Sequence, residues 1–248
     1  MSEKITNEAL KKYVPNLEES LQNEFHWNYI ESYFEFLQRE NERGGFFSKQ
    51  DTLVIVERHI LDCLIFVWKL KVEGLVSRET NLVDVGTGPG LPGFFFACLK
   101  EPPKKITLLD SQRRKLSLLE EEITRGVLSD LKDRISFMYN RAEDIRIKFD
   151  LVTSRAVIPY PYLAEVVTNL VKKKGLLCPF LGQLRFDEKI EAKVLRYSGF
   201  QLKKQIELSE LSFLGKRHIK ILQKESEPLP GYPRPWKEIV KETKQANG

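Results

Sequence analysis

The most constraining feature of this chain is a glycine-rich segment that follows a short apolar run. The run Leu82–Val85 leads into Gly86, Gly88 and Gly90, and a segment that can begin a helix comes directly afterwards. Glycines at this spacing let the backbone approach a ligand where side chains would block it. A second apolar run ends in Asp110, about one strand–helix–strand unit later, where a carboxylate can bind ribose hydroxyls. The two features predict an adenosine-type ligand at the open end of a parallel sheet.

Two nucleotide ligands compete for such a loop. The segment Gly88–Gly93 matches the dinucleotide fingerprint G-x-G-x-x-G, but its first glycine comes two residues late after the strand. Pro92 also removes one N–H donor that a pyrophosphate would need. The pattern that starts at the strand end, Asp84-x-Gly86-x-Gly88-x-Gly90, is typical of loops that bind S-adenosylmethionine (SAM). We therefore favour SAM over a dinucleotide, and both over a turn without a ligand, because three glycines carry an entropic cost that a plain turn does not need.

Composition limits the class of protein. The chain has 248 residues, of which 42% are hydrophobic, enough for one α/β domain with extensions or for two small domains. It contains no apolar run of about 18 residues that would span a membrane, and no apolar signal region at its start. Cys63, Cys98 and Cys178 are too scattered for a disulfide framework or a zinc site, so we expect no metal and a cytoplasmic location.

Basic residues are unevenly distributed over a modest net charge of +5. They concentrate in Lys100–Lys115, in Lys172–Lys174 and in the segment Tyr232–Gly248, where Tyr232 and Trp236 lie among them. Lysine runs are more often solvated faces than nucleic-acid sites. Several clusters near one sheet edge make an RNA partner equally plausible.

The apolar periodicity predicts three parts. Residues 1–78 form an N-terminal helical extension, with a helix Asn16–Gln38 that Asn16 caps and His26 helps to pack, and a helix Ser48–Gly74 with a capping box at its start. Residues 79–224 form a core of alternating strands and helices, which indicates a mostly parallel sheet with helices on both faces. Residues 225–248 form a basic C-terminal tail.

The core is predicted to contain seven strands, the last two forming an antiparallel hairpin that closes one edge. The predicted strands are Leu82–Val85, Ile106–Leu109, Ile135–Tyr139, Leu151–Ser154, Leu176–Leu181, Gln201–Leu208 and Arg217–Leu222. The predicted core helices are Phe94–Leu99, Lys115–Arg125, Phe186–Tyr197 and one that Pro159 and Pro161 introduce and that runs through Val171.

Seven short motifs, in order over roughly residues 50 to 235, resemble the family of 16S ribosomal RNA guanine-N7 methyltransferases. The motifs are Arg58–Cys63, Val83–Gly93, Leu108–Ser111, Arg141–Glu143, Ser154–Ala156, Gly215–Ile219 and Tyr232–Arg234. The glycine loop alone indicates only a methyltransferase. Three motifs together are specific for this family: Leu91-Pro-Gly93, the Arg-His box Arg58–Cys63, and Ser154-Arg-Ala156. The resemblance implies a class I (Rossmann-like) SAM-methyltransferase fold and methyl transfer from SAM to N7 of a guanine in the 530 loop of 16S rRNA.

Two segments depart from the family pattern. Gly45–Ser48 stands where the family usually has Asn-Leu-Thr, and Leu181-Gly182 stands where it tends to carry Lys-Gly. If that lysine binds RNA phosphate, this chain needs another basic residue for the contact, and Arg185 and Lys174 are the candidates.

The resemblance also implies the residues of the cofactor site. The backbone of Gly86 and Gly88 would meet the methionine part of SAM, Leu91 would pack near it, and Asp110 would hold the ribose, unless it merely caps its strand. The remaining predicted cofactor residues are Ala142 and Glu143 beside the adenine and Arg155 towards the substrate. A solvated loop acid is the alternative for Glu143, and a surface salt bridge is the alternative for Arg155.

The candidate substrate-orienting residues are Arg58, Arg155 and Tyr160. Arg58 and Asp62 lie four residues apart on a predicted helix, so they can form an ion pair, and the box that contains them can cover the cofactor or grip RNA. Tyr160 follows Ser-Arg-Ala and is a candidate for stacking on the base by position alone, whereas His218 is expected to be a strand residue. N7 of guanine carries a free lone pair, so no general base is required.

Two other functions stay open. A small-molecule SAM methyltransferase would explain the glycine loop but would give the basic clusters no role. A non-catalytic protein that binds SAM or RNA would show affinity for SAM without methyl transfer. The expected partner is 16S rRNA or the small ribosomal subunit. The protein itself is expected to be a monomer.

Overall fold

A seven-stranded sheet forms the centre of the protein in a computed structural model, which describes residues 2–44, 46–48, 54–184 and 186–246. The strands are β1 Asn81–Val85, β2 Lys105–Leu109, β3 Ile135–Met138, β4 Phe149–Arg155, β5 Val171–Leu181, β6 Phe200–Glu207 and β7 His218–Lys224. They lie in the order β3-β2-β1-β4-β5-β7-β6. The first five pair in parallel, and β7 pairs antiparallel with both β5 and β6. The predicted sheet and its closing hairpin are confirmed.

Helices cover both faces of this sheet. The N-terminal helices are α1 Ser2–Tyr13, α2 Glu18–Glu24, α3 Trp27–Gly44 and α4 Asp62–Val72. The later helices are α5 Gly93–Ala97, α6 Arg113–Arg125, α7 Tyr162–Val166, α8 Glu188–Ser198 and α9 Trp236–Ala246. Neighbouring strand residues point to opposite faces, so Leu82 and Leu108 pack with the N-terminal helices, whereas Val83 and Leu109 pack with α7 and α8.

The N-terminal helices are docked on the sheet through Tyr33. Its fully buried ring stacks on Phe94 at a centroid distance of 4.0 Å, and its hydroxyl donates a hydrogen bond of 2.9 Å to the carbonyl of Pro89. The extension therefore supports the glycine loop directly.

The single helix predicted over Asn16–Gln38 is wrong, because the chain breaks between α2 and α3. Phe25 forms an isolated antiparallel bridge with Leu99, and the N–H of His26 donates to the carbonyl of Cys98 at 2.8 Å. These tertiary bonds replace helical ones, so His26 lies at the break rather than inside a helix. Asn16 lies in a 3-10 turn that precedes α2.

The second predicted helix, Ser48–Gly74, is also modified. Residues 49–53, which include Asp51 of the expected capping box, lie outside the described residues. A π-helical turn, Val56–Leu61, precedes α4. Such turns are frequent at functional sites, and this one contains the Arg-His box.

Two later segments differ from the prediction. The helix expected from Pro161 to Val171 is shorter, because α7 ends at Val166, a 3-10 turn follows, and Val171 already pairs with Phe149 as the first residue of β5. The predicted tail, residues 225–248, contains α9, whose fully buried Ile239 packs in the same cluster as α7 and α8.

The C-terminal segment is held by one buried ion pair. Glu165 on α7 is fully buried and accepts hydrogen bonds from the backbone N–H of Arg234 at 2.9 Å, from its guanidinium Nη2 at 2.7 Å and from the hydroxyl of Tyr197 at 2.9 Å. This contact fixes the start of α9, two residues after Arg234.

No described helix is long and apolar enough to cross a membrane. Within the described residues, no group of three or more His, Cys, Asp or Glu could hold a metal ion.

A buried lysine gives the fold a pH dependence that can be tested. Lys224 on β7 is 1% exposed, and its ammonium donates to the hydroxyl of Thr168 and the carbonyl of Ser198. Burial lowers the pKa of Lys224 from 10.5 to about 8, against the opposing effect of Glu227.

We expect this lysine to make the folded state more stable as the pH rises. Between the folded pKa of about 8 and the unfolded value of 10.5, the unfolded chain holds a proton that the folded chain has lost. Over that range the wild type should gain about 3 kcal/mol of unfolding free energy relative to Lys224→Met. Urea denaturation of both proteins at pH values near 8 and 10.5 measures the difference. Equal pH slopes for the two proteins would contradict the prediction.

Candidate active site

The glycine loop joins β1 to α5 in a conformation that its residues require. Gly86 and Gly88 have φ angles of +67° and +58°, in the left-handed region that favours glycine. A Cβ on Gly86 would lie 2.0 Å from Cγ2 of Val157, whereas a Cβ on Gly88 would meet no atom within 4 Å. Gly86 is therefore a contact point with the turn after β4, and Gly88 faces open space.

A buried carboxylate anchors the loop to the sheet. Asp84 is fully buried in β1, where Oδ2 accepts from the N–H of Gly93 at 2.9 Å and Oδ1 accepts from the hydroxyl of Thr153 at 2.8 Å. Burial raises the pKa of Asp84, and these hydrogen bonds oppose the rise. The sequence pattern included Asp84 as a marker of the loop but did not reveal this structural role.

Asp110, at the end of β2, closes the loop from the other side. Its Oδ2 accepts from the N–H of Gly88 and its Oδ1 from the N–H of Gln112, both at 2.8 Å. It therefore caps its own turn, which was the alternative interpretation. A carboxylate offers about four acceptor positions, so these two bonds leave acceptors for a ribose.

A first cavity of about 470 Å³ opens beside this loop. Five predicted cofactor residues line it, namely Gly86, Gly88, Asp110, Ala142 and Glu143. Leu91 is 3% exposed and is not part of its lining, because it packs in the core beside the N-terminal helices. Arg155 does not line it either and faces a second cavity instead.

The lining of the first cavity also includes Trp236, the first residue of α9. The guanidinium of Arg141 lies 5.0 Å from the centre of its ring, and Nη1 of Arg141 lies 3.7 Å from Oε1 of Glu143. In the sequence, Trp236 stands among basic residues, and no local pattern connects it with the cofactor site. The connection depends on the Arg234–Glu165 pair, whose partners lie 69 positions apart.

The loop cannot serve a pyrophosphate. Of the backbone donors that a dinucleotide would use, the N–H of Gly88 is bonded to Asp110 and the N–H of Gly93 to Asp84. The carboxylate of Asp110, which lines the cavity, repels a phosphate, whereas it accepts hydroxyl donors. The volume suits a nucleoside-sized ligand, and the open space at Gly88 with acceptors at Asp110 and Glu143 fits SAM.

A second cavity of about 660 Å³ shares Ala156 and Val157 with the first. Asp62 forms ion pairs there with Arg155 (Oδ2 to Nη1, 3.3 Å) and with Arg217 (Oδ1 to Nε, 2.9 Å). The predicted Arg58–Asp62 pair is replaced by these two contacts. The π-helical turn changes the spacing that an α-helical i, i+4 pair would have, and the backbone carbonyl of Arg58 accepts from Nη1 of Arg155 at 3.3 Å.

The other candidates at the second cavity are His59 and Tyr160. Nη2 of Arg155 lies 3.2 Å from Nδ1 of His59. Tyr160 is 8% exposed, bonds through its hydroxyl to Glu191, and carries the ammonium of Lys220 at 4.8 Å from its ring centre. Tyr160 is therefore a wall residue whose ring is already partly covered.

The pKa of the Asp62 carboxyl is raised overall, because the effect of burial is the largest of several opposing effects. Burial raises the pKa of this carboxyl, while the charges of Arg155 and Arg217 lower it. The three cysteine thiols are buried, and burial raises the pKa of each, for Cys63 to about 12. Thiolate chemistry at neutral pH is therefore disfavoured in this protein.

The basic clusters divide between the two ends of the sheet. Lys100, Lys104 and Lys105 precede β2 or begin it, whereas Arg113–Lys115 follow it at the end where the cavities open. Lys174 lies near the start of β5 and forms an ion pair with Glu225, far from Leu181 at the other end of that strand. Lys174 is therefore badly placed to replace the family lysine, and Arg185 lies outside the described residues.

Solved structures share this arrangement of strands and helices. The magnesium protoporphyrin IX methyltransferase from Synechocystis PCC 6803 with bound SAH aligns with a TM-score of 0.55 and 15% identity over 78% of this chain and 94% of that chain. Its structure with bound SAM aligns with a TM-score of 0.51 and 14% identity over 91% and 98%. The strand order, the glycine loop and the acidic strand end define the protein as a class I SAM-dependent methyltransferase.

The family follows from the sequence comparisons. The family model for rRNA small subunit methyltransferase G (GidB) matches residues 26–219. The ribosomal RNA small subunit methyltransferase G of Leptospira biflexa is 60% identical over all 248 residues of both chains. That of Leptospira interrogans is 46% identical over 241 residues, 97% of this chain and 93% of the relative. The chain belongs to the rRNA small subunit methyltransferase G family, as its motifs indicated.

Replacement of Asp110 tests the first cavity. Asp110→Ala removes both the anchor of the Gly88 N–H and the acceptor for ribose. Because each hydrogen bond to a charged group contributes roughly 1.5–3 kcal/mol, the Kd for SAM should rise at least ~10-fold. Isothermal titration calorimetry measures it, with Asp133→Ala as a control at an exposed carboxylate outside the cavity. An unchanged Kd for Asp110→Ala would remove Asp110 from the cofactor site.

Proposed function

We propose that this protein transfers the methyl group of SAM to N7 of a guanine in the 530 loop of 16S rRNA within the small ribosomal subunit. Membership in the family of rRNA small subunit methyltransferase G supports the reaction and the substrate. The observation in the fold that carries the proposal is the pair of adjoining cavities at one end of the sheet. One suits a nucleoside cofactor, and the other lies beside it with two guanidinium groups.

The lining of the first cavity supports a set of cofactor contacts. In this proposal the backbone of Gly86 and Gly88 lies against the methionine part of SAM, and Asp110 accepts hydrogen bonds from the ribose hydroxyls. Ala142, Glu143 and Trp236 surround the adenine, with Glu143 accepting from its amino group. When bound, SAM supplies a methyl group on a positively charged sulfur.

Methylation at N7 requires no general base. N7 carries a lone pair and no proton, so the chain has to hold the base in line with the methyl group rather than deprotonate it. Orientation alone can lower a barrier by ~7–11 kcal/mol in favourable systems. The usual arginine fork on O6 and N7 of guanine would block the reacting atom. We infer that Arg155 and Arg217 contact O6 or phosphate and leave N7 open.

The basic residues at the open end of the sheet supply the RNA contacts in this proposal. Arg113 and Arg114 are exposed there, and Lys115 lines the first cavity. Binding that relies on such residues weakens steeply as salt rises, because phosphate neutralisation releases counterions. We further propose that the protein acts as a monomer in the cytoplasm.

Methyl transfer to RNA is the direct test of this function. Small ribosomal subunits from a strain that lacks the enzyme should take up label from SAM with the purified protein, at a guanine N7 in the 530 loop of 16S rRNA. Borohydride and aniline cleavage maps N7-methylguanine to a single position. Subunits from the wild-type strain serve as the control and should take up little label. Label that enters only small molecules, or no label at all, would contradict the proposal.

A further inference from the structure

The second cavity is separated from the first by a single turn of backbone. Ala156 and Val157 follow the end of β4 and line both cavities, and Val157 also lies against Gly86. A ligand in the second cavity is therefore next to a cofactor in the first. The volume of about 660 Å³ is enough for a nucleotide base with its sugar.

One wall of the second cavity is apolar. Val157, Ile158 and Pro159 come from the turn after β4, and Phe180 and Leu181 come from the end of β5. The ring of Phe180 is held from behind by Phe66, on which it stacks at a centroid distance of 4.7 Å. Proteins bind unstacked RNA bases on such aromatic and apolar walls, which replace the stacking lost from the helix.

Another part of the lining is polar and carries a net positive charge. The guanidinium groups of Arg155 and Arg217 face one carboxylate, that of Asp62, which is 4% exposed. Arg217 uses Nε for Asp62 and Nη1 for the carbonyls of Leu214 and Lys216. Among the described residues, nothing accepts a hydrogen bond from its Nη2 group, so two N–H donors remain for a ligand.

We propose that the second cavity binds the target guanine, with the apolar wall against the ring and the Nη2 group of Arg217 donating to O6. This inference rests on the proposed function and specifies where its substrate lies. A guanidinium that binds O6 through one nitrogen leaves N7 open towards the turn at Ala156, on the side of the first cavity. A purine without a carbonyl at this position would lose that hydrogen bond.

Asp62 acts as a positioning residue in this arrangement. It holds Arg155 and Arg217 in fixed orientations through one oxygen each. It also offsets one of their two positive charges, which matters because the guanine ring becomes cationic as N7 gains the methyl group. Without Asp62, two uncompensated guanidinium groups would repel the charge that develops in the transition state.

Gly182 allows the second cavity to be filled without disturbing the first. It lines the second cavity, and a Cβ built on it would meet no atom within 4 Å. Gly182→Trp should therefore occupy the space of the base, and Gly182→Ala is the matched control that changes the backbone freedom equally but adds one carbon. The measurements are the Kd for SAM, by calorimetry, and kcat/KM for methylation of small subunits that lack the modification.

Gly182→Trp should lower kcat/KM about 100-fold or more, since displacement of a reacting group by about 1 Å can cost that much. Its Kd for SAM should match those of the wild type and Gly182→Ala. Near wild-type methylation by Gly182→Trp, or loss of SAM affinity in parallel with activity, would overturn the inference. Failure of the wild type itself to methylate the RNA would instead overturn the proposed function.

Arg217 tests the polar wall. Arg217→Ala removes the donor to O6, and Arg217→Lys keeps the charge but not the planar fork, so both should lower kcat/KM while SAM affinity is kept. Full activity of Arg217→Lys would show that charge alone suffices and would contradict a specific contact with O6.

Asp62→Asn should lower kcat more than it raises KM, because Asp62 acts on the charge that develops in the transition state. A rise in KM that is larger than the fall in kcat would contradict the positioning role of Asp62.

Discussion

The buried carboxylate of Asp84 is the interaction on which the active end of this protein depends. It joins three elements, since it lies in β1 and accepts from the first N–H of α5 and from Thr153 in β4. The contact also explains why the residue at the start of α5 is glycine. A Cβ on Gly93 would lie 2.7 Å from Cβ of Asp84 and 2.4 Å from Cδ2 of Leu108. The loop between them is therefore fixed before any ligand binds, which reduces the entropy lost on binding.

The turn after β4 divides this end of the sheet into two compartments. Ala156 adopts φ of +57°, which is unfavourable for a residue with a side chain, by roughly 1–2 kcal/mol. That conformation places Arg155 in the second cavity, while Ala156 and Val157 form the partition. The Ser-Arg-Ala motif thus supplies a wall that the two cavities share and a guanidinium in the second cavity. Strain at such a position is common where function fixes the backbone.

The parts of the site that sequence predicted are those that local patterns encode. The alternation of strands and helices and the loop after Asp84 indicated the cofactor end of the sheet, and Asp110 was found because it ends the next strand along the chain. The second cavity depends on contacts that no local pattern carries. Asp62 pairs with residues 93 and 155 positions away. Trp236 reaches the first cavity because the C-terminal helix is docked through Glu165. The break between α2 and α3 likewise depends on a distant contact, the backbone hydrogen bond from His26 to Cys98.

The central claim is that the pocket built by Asp84, the glycine loop and Asp110 holds the methyl donor. A crystal structure of the protein with S-adenosylhomocysteine, the product that remains after methyl transfer, tests it most directly. We predict ribose hydroxyls within hydrogen-bond distance of Asp110, adenine between Ala142 and Trp236, and the sulfur directed towards the turn at Ala156. Density for the nucleoside in the second cavity, against Arg155 and Arg217, would contradict it.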